Sequence, residues 1–158
     1  MKQRPITIAK IETGIVIDHI PAGKAHLIAR VLGLHILARE TGDIIAIGIN
    51  FDSARLGKKD IIKVENLSLT REMLNVVSLI APFATVTRIE NGRVIEKHKV
   101  EIPQSVGDVV ICPDKFCITN HEPVACKFLV LHDQPLTLKC QYCESEFFGP
   151  LIRYKEHP

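Results

Sequence analysis

The sequence has no tryptophan and only two tyrosines and six phenylalanines in 158 residues. Rings that scarce leave little for the stacking platforms that hold single-stranded nucleic acids. A dominant charge is also missing: 20 lysines and arginines against 18 acids leave a formal charge of +2. No block of five or six like charges occurs, which argues against a general nucleic-acid surface. No apolar run approaches the ~18 residues of a membrane helix. The N-terminal stretch MKQRPITIAK has no signal-peptide core. These absences lead us to expect a soluble cytoplasmic protein with no membrane contact. The glycines match neither a Walker nor a G-x-G-x-x-G pattern, so any grip on phosphate must come from side chains. Cysteine is absent from residues 1–111, and all five cysteines lie in the last third.

What is present is globular: 46% hydrophobic and 24% charged residues. Ile6, Ile8 and Ile11 start a strand, interrupted at Thr13-Gly14 and continued by IVIDHI. In GKAHLIARVLGLHILARE, Leu27, Val31, Leu34 and Ala38 form a single apolar helix stripe. DIIAIGIN (43–50) and KDIIKVEN (59–66) read as strands. Thr70 is placed to cap a helix with the core face Met73, Val76, Val77 and Ile80, which Pro82 ends. Asn91-Gly92 is a strong two-residue hairpin signal and sets Ile89 opposite Val94. The element order fits an α+β fold. We expect an antiparallel N-terminal sheet with two helices on one face, ferredoxin-like, then a small all-β domain.

IPQSVGD (102–108) breaks the pattern, so residues 1–102 and 103–158 are assigned to separate domains. The second is too short for a self-sufficient core and needs a staple. Cys112 and Cys117 have four residues between them, Cys140 and Cys143 have two, and 22 separate the pairs. Two short knuckles supplying two thiolates each is the pattern of a structural zinc site, one ion per chain. Four cysteines close the shell and leave no position for a catalytic water. A redox role for the C-x-x-C pair leaves Cys112 and Cys117 unexplained, and Cys126 reads as a small core residue.

The stretch VIDHIPAGK puts Asp18 beside His19 at the end of an apolar run. From the residues alone the pair is a satisfied turn, part of a ligand site, or a catalytic dyad. No serine or cysteine nucleophile accompanies it in an obvious motif.

Taken together, GIVIDHIPAG, GKKDIIKVEN, APFATVTRIEN, CPDKFCITNHEPV and LKCQYCESEF resemble the regulatory chain of aspartate carbamoyltransferase over essentially the full length. The resemblance implies a non-catalytic subunit of pyrimidine biosynthesis. Its N-terminal domain would bind the effector nucleotides ATP and CTP. Its zinc domain would dock on a separate catalytic chain, and its N-terminal domains would pair as a homodimer. It further implies that Asp18 reads the ribose, that His19 and Lys97 lie near the phosphates, and that Lys59 adds charge there. Lys63 falls near base and ribose. Ile11, Val16, Ile61, Ile89 and Val94 match apolar positions around the base, and the backbone at Ile8 and Lys10 reads its edge. Thr87 stands where the family usually has asparagine and Lys10 where it has a small residue, both inside the nucleotide site. Asp114 and Phe116 stand at common asparagine positions in the loop that faces the catalytic chain.

The sequence argues against two other functional classes. A zinc-ribbon nucleic-acid module needs a basic zinc domain, yet residues 108–158 carry seven acids against five lysines and arginines. An enzyme needs an open metal position or an activated nucleophile, and the sequence supplies neither.

Overall fold

The computed structural model describes residues 6–157. Five strands form one antiparallel sheet: β1 (Gly14–Pro21), β2 (Ile45–Ser53), β3 (Gly57–Glu65), β4 (Thr85–Glu90) and β5 (Arg93–Lys99). Their order across the sheet is β2-β3-β1-β4-β5. Helices α1 (Ala25–Val31), α2 (Leu34–Thr41) and α3 (Arg71–Ile80) complete the unit.

Strand alternation explains why only one face is covered. Ile15 and Ile17 of β1, Ile62 and Val64 of β3, and Val86 of β4 are buried against Ile28, Leu34, Val76 and Val77 of the helices. Each such side chain, fully buried, contributes about 1.5–3 kcal/mol. Their strand neighbours, among them Val16, Lys63 and Thr87, face away. As expected, Thr70 caps α3, its Oγ1 accepting from Met73 N at 3.2 Å. Asn91 (φ 50°) and Gly92 (φ 72°) form the β4–β5 turn, and Ile89 pairs with Val94. Two positive φ values are what a tight hairpin turn requires.

The ferredoxin-like order stands, but two local readings change. The single first helix is two short ones. Gly33, at φ 65°, adopts a left-handed conformation that stops α1 and starts α2. The apolar stripe continues through the break, so periodicity alone did not show it. Residues 6–11 are not a strand. They form an arm lying on the open face, where Lys63 Nζ donates to the carbonyls of Ile8 (3.2 Å) and Ala9 (2.9 Å).

The remaining strands are short: β6 (Ser105–Val106), β7 (Val110–Ile111), β8 (Phe128–Asp133), β9 (Leu136–Cys140), β10 (Glu146–Phe148) and β11 (Arg153–Tyr154). They make a four-stranded sheet, β10-β9-β8-β6, and a β11–β7 pair. The second core centres on Phe128 and Phe147, whose rings meet edge to face at 5.6 Å. Leu79 at the end of α3 belongs to this second core. The C-terminal segment returns to the helices: Glu156 pairs with Arg30 at 2.6 Å, and His157 N donates to Arg30 O at 3.1 Å. Burial pushes the Tyr154 hydroxyl, which lies 3.4 Å from Leu79 O, up to about 12. No helix among the described residues is long and apolar enough to cross a membrane.

Candidate functional site

The open face of the five-stranded sheet gathers most of the candidate residues. Direct pairing sets Lys63, Val16, Thr87 and Lys97 in one row across β3, β1, β4 and β5. Residues opposite one another in an antiparallel pair share a face. Three strand spacings of ~4.8 Å make the row about 14 Å long. Ile89 and Val94 form the adjacent pair toward the hairpin. Val94 is 62% exposed, so apolar surface lies open beside the cations. Ile8 reaches the other end, lying over Gly48 and Ile61. A Cβ added at Gly48 would lie 2.5 Å from the Ile8 side chain and 3.0 Å from that of Ile61. Ile11 is buried just before β1, and the Lys10 side chain is exposed.

Asp18 and His19 occupy a bulge. Ile17 pairs with Ile62 and Ile20 with Asp60, so two residues of β1 stand against Ile61 alone. His19 takes φ 60°. The bulge turns its amide onto the neighbouring carboxylate, Asp18 Oδ1, at 2.6 Å. Lys59 Nζ holds the same carboxylate at 2.8 Å to Oδ1 and 3.0 Å to Oδ2. Burial disfavours the charged form of Asp18. The Lys59 hydrogen bond, then the His19 amide, outweigh that and hold the carboxyl below its ordinary value. His19 Nδ1 is buried without a hydrogen-bond partner among the described residues, 3.6 Å from Asp18 Oδ2. Lys97 is exposed on β5, so its ammonium is accessible from solvent.

The second constellation is the four cysteines. The Sγ atoms of Cys112, Cys117, Cys140 and Cys143 all lie within 4.8 Å of one another. Cys112 and Cys143 are 3.6 Å apart, and Cys117 and Cys140 3.8 Å. A tetrahedron with Zn–S bonds of ~2.3 Å has edges of about 3.8 Å, so the donor set fits a thiolate-bound ion. All five cysteines are free thiols. Amides surround the sulfurs: those of Asp114 on Cys112, Thr119 on Cys117, and Cys143 and Tyr142 on Cys140. Burial pushes Cys112 and Cys140 up against those amides. It opposes ionisation of Cys117 too, but the Thr119 hydroxyl and amide prevail and lower that thiol to about 7. A bound cation supplies the charge that makes four adjacent thiolates stable. The cluster ties Cys112, next to β7, to the end of β9 and the turn before β10, a staple across the second core.

Two family models cover nearly the whole chain. Residues 6–101 match the aspartate carbamoyltransferase regulatory chain, allosteric domain, and residues 104–150 match the metal binding domain of the same chain. The chain belongs to the aspartate carbamoyltransferase regulatory chain family. Proteins of that name in Pyrococcus horikoshii and Chromobacterium violaceum are each 43% identical, over 88% and 92% of this chain and 90% and 94% of their own lengths. One in Caldivirga maquilingensis is 47% identical over 90% of this chain and 86% of its own. The regulatory chain is a non-catalytic subunit of the enzyme, and the four-cysteine cluster falls within its metal-binding domain and supports a structural metal ion.

Sequence reasoning missed three groups. Asp60 is fully buried between the strands that carry the site. Its signal was an acid falling in the inward register of Ile62 and Val64. Ser145 sits 3.3 Å from Cys143 Sγ and links it to Asp114. The C-terminal residues 152–157, which hold the two units together, carried no pattern readable before the fold was known.

Proposed function

We propose that this chain binds effector nucleotides, ATP and CTP, on the open face of its N-terminal sheet and passes their influence to a catalytic chain bound by its zinc domain. The observation that carries the reading is the row Lys63–Val16–Thr87–Lys97 with the Lys59–Asp18 pair beside it. Cations for phosphates, a carboxylate for ribose hydroxyls and apolar side chains for a base lie on one surface. The roles follow the family. Asp18 reads the ribose. His19, Lys59 and Lys97 meet the phosphates. Lys63 lies near base and ribose, the backbone at Ile8 and Lys10 reads the base edge, and Ile11, Val16, Ile61, Thr87, Ile89 and Val94 line the base.

The ion is zinc, held by Cys112, Cys117, Cys140 and Cys143, one per chain. Residues 1–102 carry the allosteric function and 103–158 the docking function, in the cytoplasm. Phe116, 92% exposed in the first knuckle, is a natural anchor for the catalytic chain. The homodimer is expected along edge strand β2, where Ile47 and Ile49 are 41% and 53% exposed. A nucleotide acts by binding the two states of the assembly unequally, with couplings typically ~1–3 kcal/mol.

Calorimetry of ATP and CTP against the full chain tests the reading. Saturable binding that Lys97→Ala weakens for triphosphates but not for nucleosides is expected. No heat of binding for either nucleotide on folded, zinc-loaded chain contradicts it.

A further inference from the structure

Asp60 lies one residue from Lys59 and points the opposite way, into the core, where it is fully buried. Each carboxylate oxygen accepts one backbone amide. Oδ2 takes Ala25 N at 3.0 Å, and Oδ1 takes Asn50 N at 2.9 Å. The two donors come from different elements. Ala25 opens α1, a helix with no side-chain cap and no acid in its first turn. Asn50, at φ 66°, sits in a second bulge, since Gly48 pairs with Ile61 and Phe51 with Lys59. Asp60 is therefore the remote cap of α1 and the lock of the β2 bulge.

The bulges of β1 and β2 flank β3 on its two sides at Asp60 and Ile61. The first carries Asp18 and His19, and the strand between them carries Lys59. The backbone held from inside by Asp60 is the one from which Lys59 reaches Asp18 at 2.8 Å on the outside. We infer that Asp60 is a positioning residue for the phosphate end of the effector site, setting the double bulge from which Lys59 and His19 are aimed at the open face, with Lys59 aligned on Asp18. This rests on the nucleotide reading above, but half of its test does not.

The experiment uses the full zinc-loaded chain carrying Asp60→Asn, which keeps size and shape but leaves one of the two amides without an acceptor. The Asp18 carboxyl is titrated by NMR in the absence of any nucleotide. Removing a nearby negative charge would by itself lower the Asp18 value, whereas losing the aligned Lys59 raises it. A rise is expected. Affinities for ATP and adenosine are then compared, and ATP is expected to lose about tenfold, the scale of one charged hydrogen bond, with adenosine changed less than about threefold. Asn50→Ala strains the same bulge at its positive φ without touching the buried acid, and serves should Asp60→Asn not fold. It is expected to raise Asp18 in the same direction, while Asn50→Gly leaves it unchanged. An Asp18 titration that stays put or falls, together with an unaltered ATP-to-adenosine ratio, overturns the inference. Wild-type chain that binds no nucleotide, while Asp18 still shifts upward in the variants, overturns the nucleotide reading and leaves the positioning role standing.

Discussion

Lys59 Nζ bridges both carboxylate oxygens of Asp18, at 2.8 and 3.0 Å, from the neighbouring strand. The residue assigned to the ribose and a residue assigned to the phosphates thus hold each other before any ligand arrives. Opening this pair frees one acceptor and one cation together, so the two assigned roles are coupled.

That coupling shapes the first expectation. Asp18→Ala removes the ribose acceptor and releases Lys59 for phosphate. Nucleoside affinity should fall by roughly 1.5–3 kcal/mol, the value of a charged hydrogen bond, and triphosphate affinity by less. Lys97→Ala should show the reverse pattern. Calorimetry with adenosine and ATP on both variants separates the two. Equal losses for both ligands in both variants would refute the division of roles.

The pair also sets a pH dependence. Asp18 has a folded value below its ordinary one, so it binds fewer protons folded than unfolded around pH 4. Its contribution to stability is complete above the unfolded value of about 3.9 and is lost as pH falls through the folded value. Urea unfolding of wild type should weaken through that acid window. Asp18→Asn should weaken less steeply there. Parallel acid limbs would show that the pair carries no linkage.

The metal site gives the third expectation. Cys140 is fully buried at the end of β9, where it joins the cluster to the sheet. Cys140→Ser should abolish zinc binding and unfold the second core. The five-stranded sheet should remain, because its core is built from a separate cluster. Metal analysis and NMR dispersion report the two effects. A Cys140→Ser chain with one zinc and an intact second core would exclude the four-thiolate assignment.

Gly33 gives the fourth. At φ 65°, a Cβ there would also sit 3.1 Å from the His157 ring. Gly33→Ala should cost about 1–2 kcal/mol, the penalty of an L-residue in the left-handed region, measured by chemical denaturation. A neutral result would mean that the break between α1 and α2 is not fixed.

These residues also show how far the sequence was legible. Alternation and the Asn91-Gly92 turn announced the sheet, because both rest on local sterics and on one buried face. The cysteine spacings announced the cluster because knuckle geometry is local too. Gly33 was hidden by an apolar stripe that runs straight through it. The arm at residues 6–11 looked like a strand because its apolar spacing was right, but Lys63 takes its carbonyls instead of a neighbouring strand. Asp60 was overlooked because its partners, Ala25 and Asn50, are 35 and 10 residues away and offer only backbone amides.

Phe116 supplies the fifth expectation. Phe116→Ala should weaken binding to the catalytic chain by about 2 kcal/mol or more, the scale of a buried aromatic anchor. Nucleotide affinity should not change. Unchanged assembly in sedimentation would remove the first knuckle from the interface.

The most direct test of regulation combines the chain with its catalytic partner and measures aspartate saturation with and without ATP and CTP, for wild type and Lys97→Ala. The wild-type assembly should shift its saturation curve with nucleotide. Lys97→Ala should keep the same nucleotide-free curve and lose most of the shift. A Lys97→Ala assembly that responds to nucleotide as wild type does, or that loses activity with no nucleotide present, would contradict an effector site on the open face of the sheet.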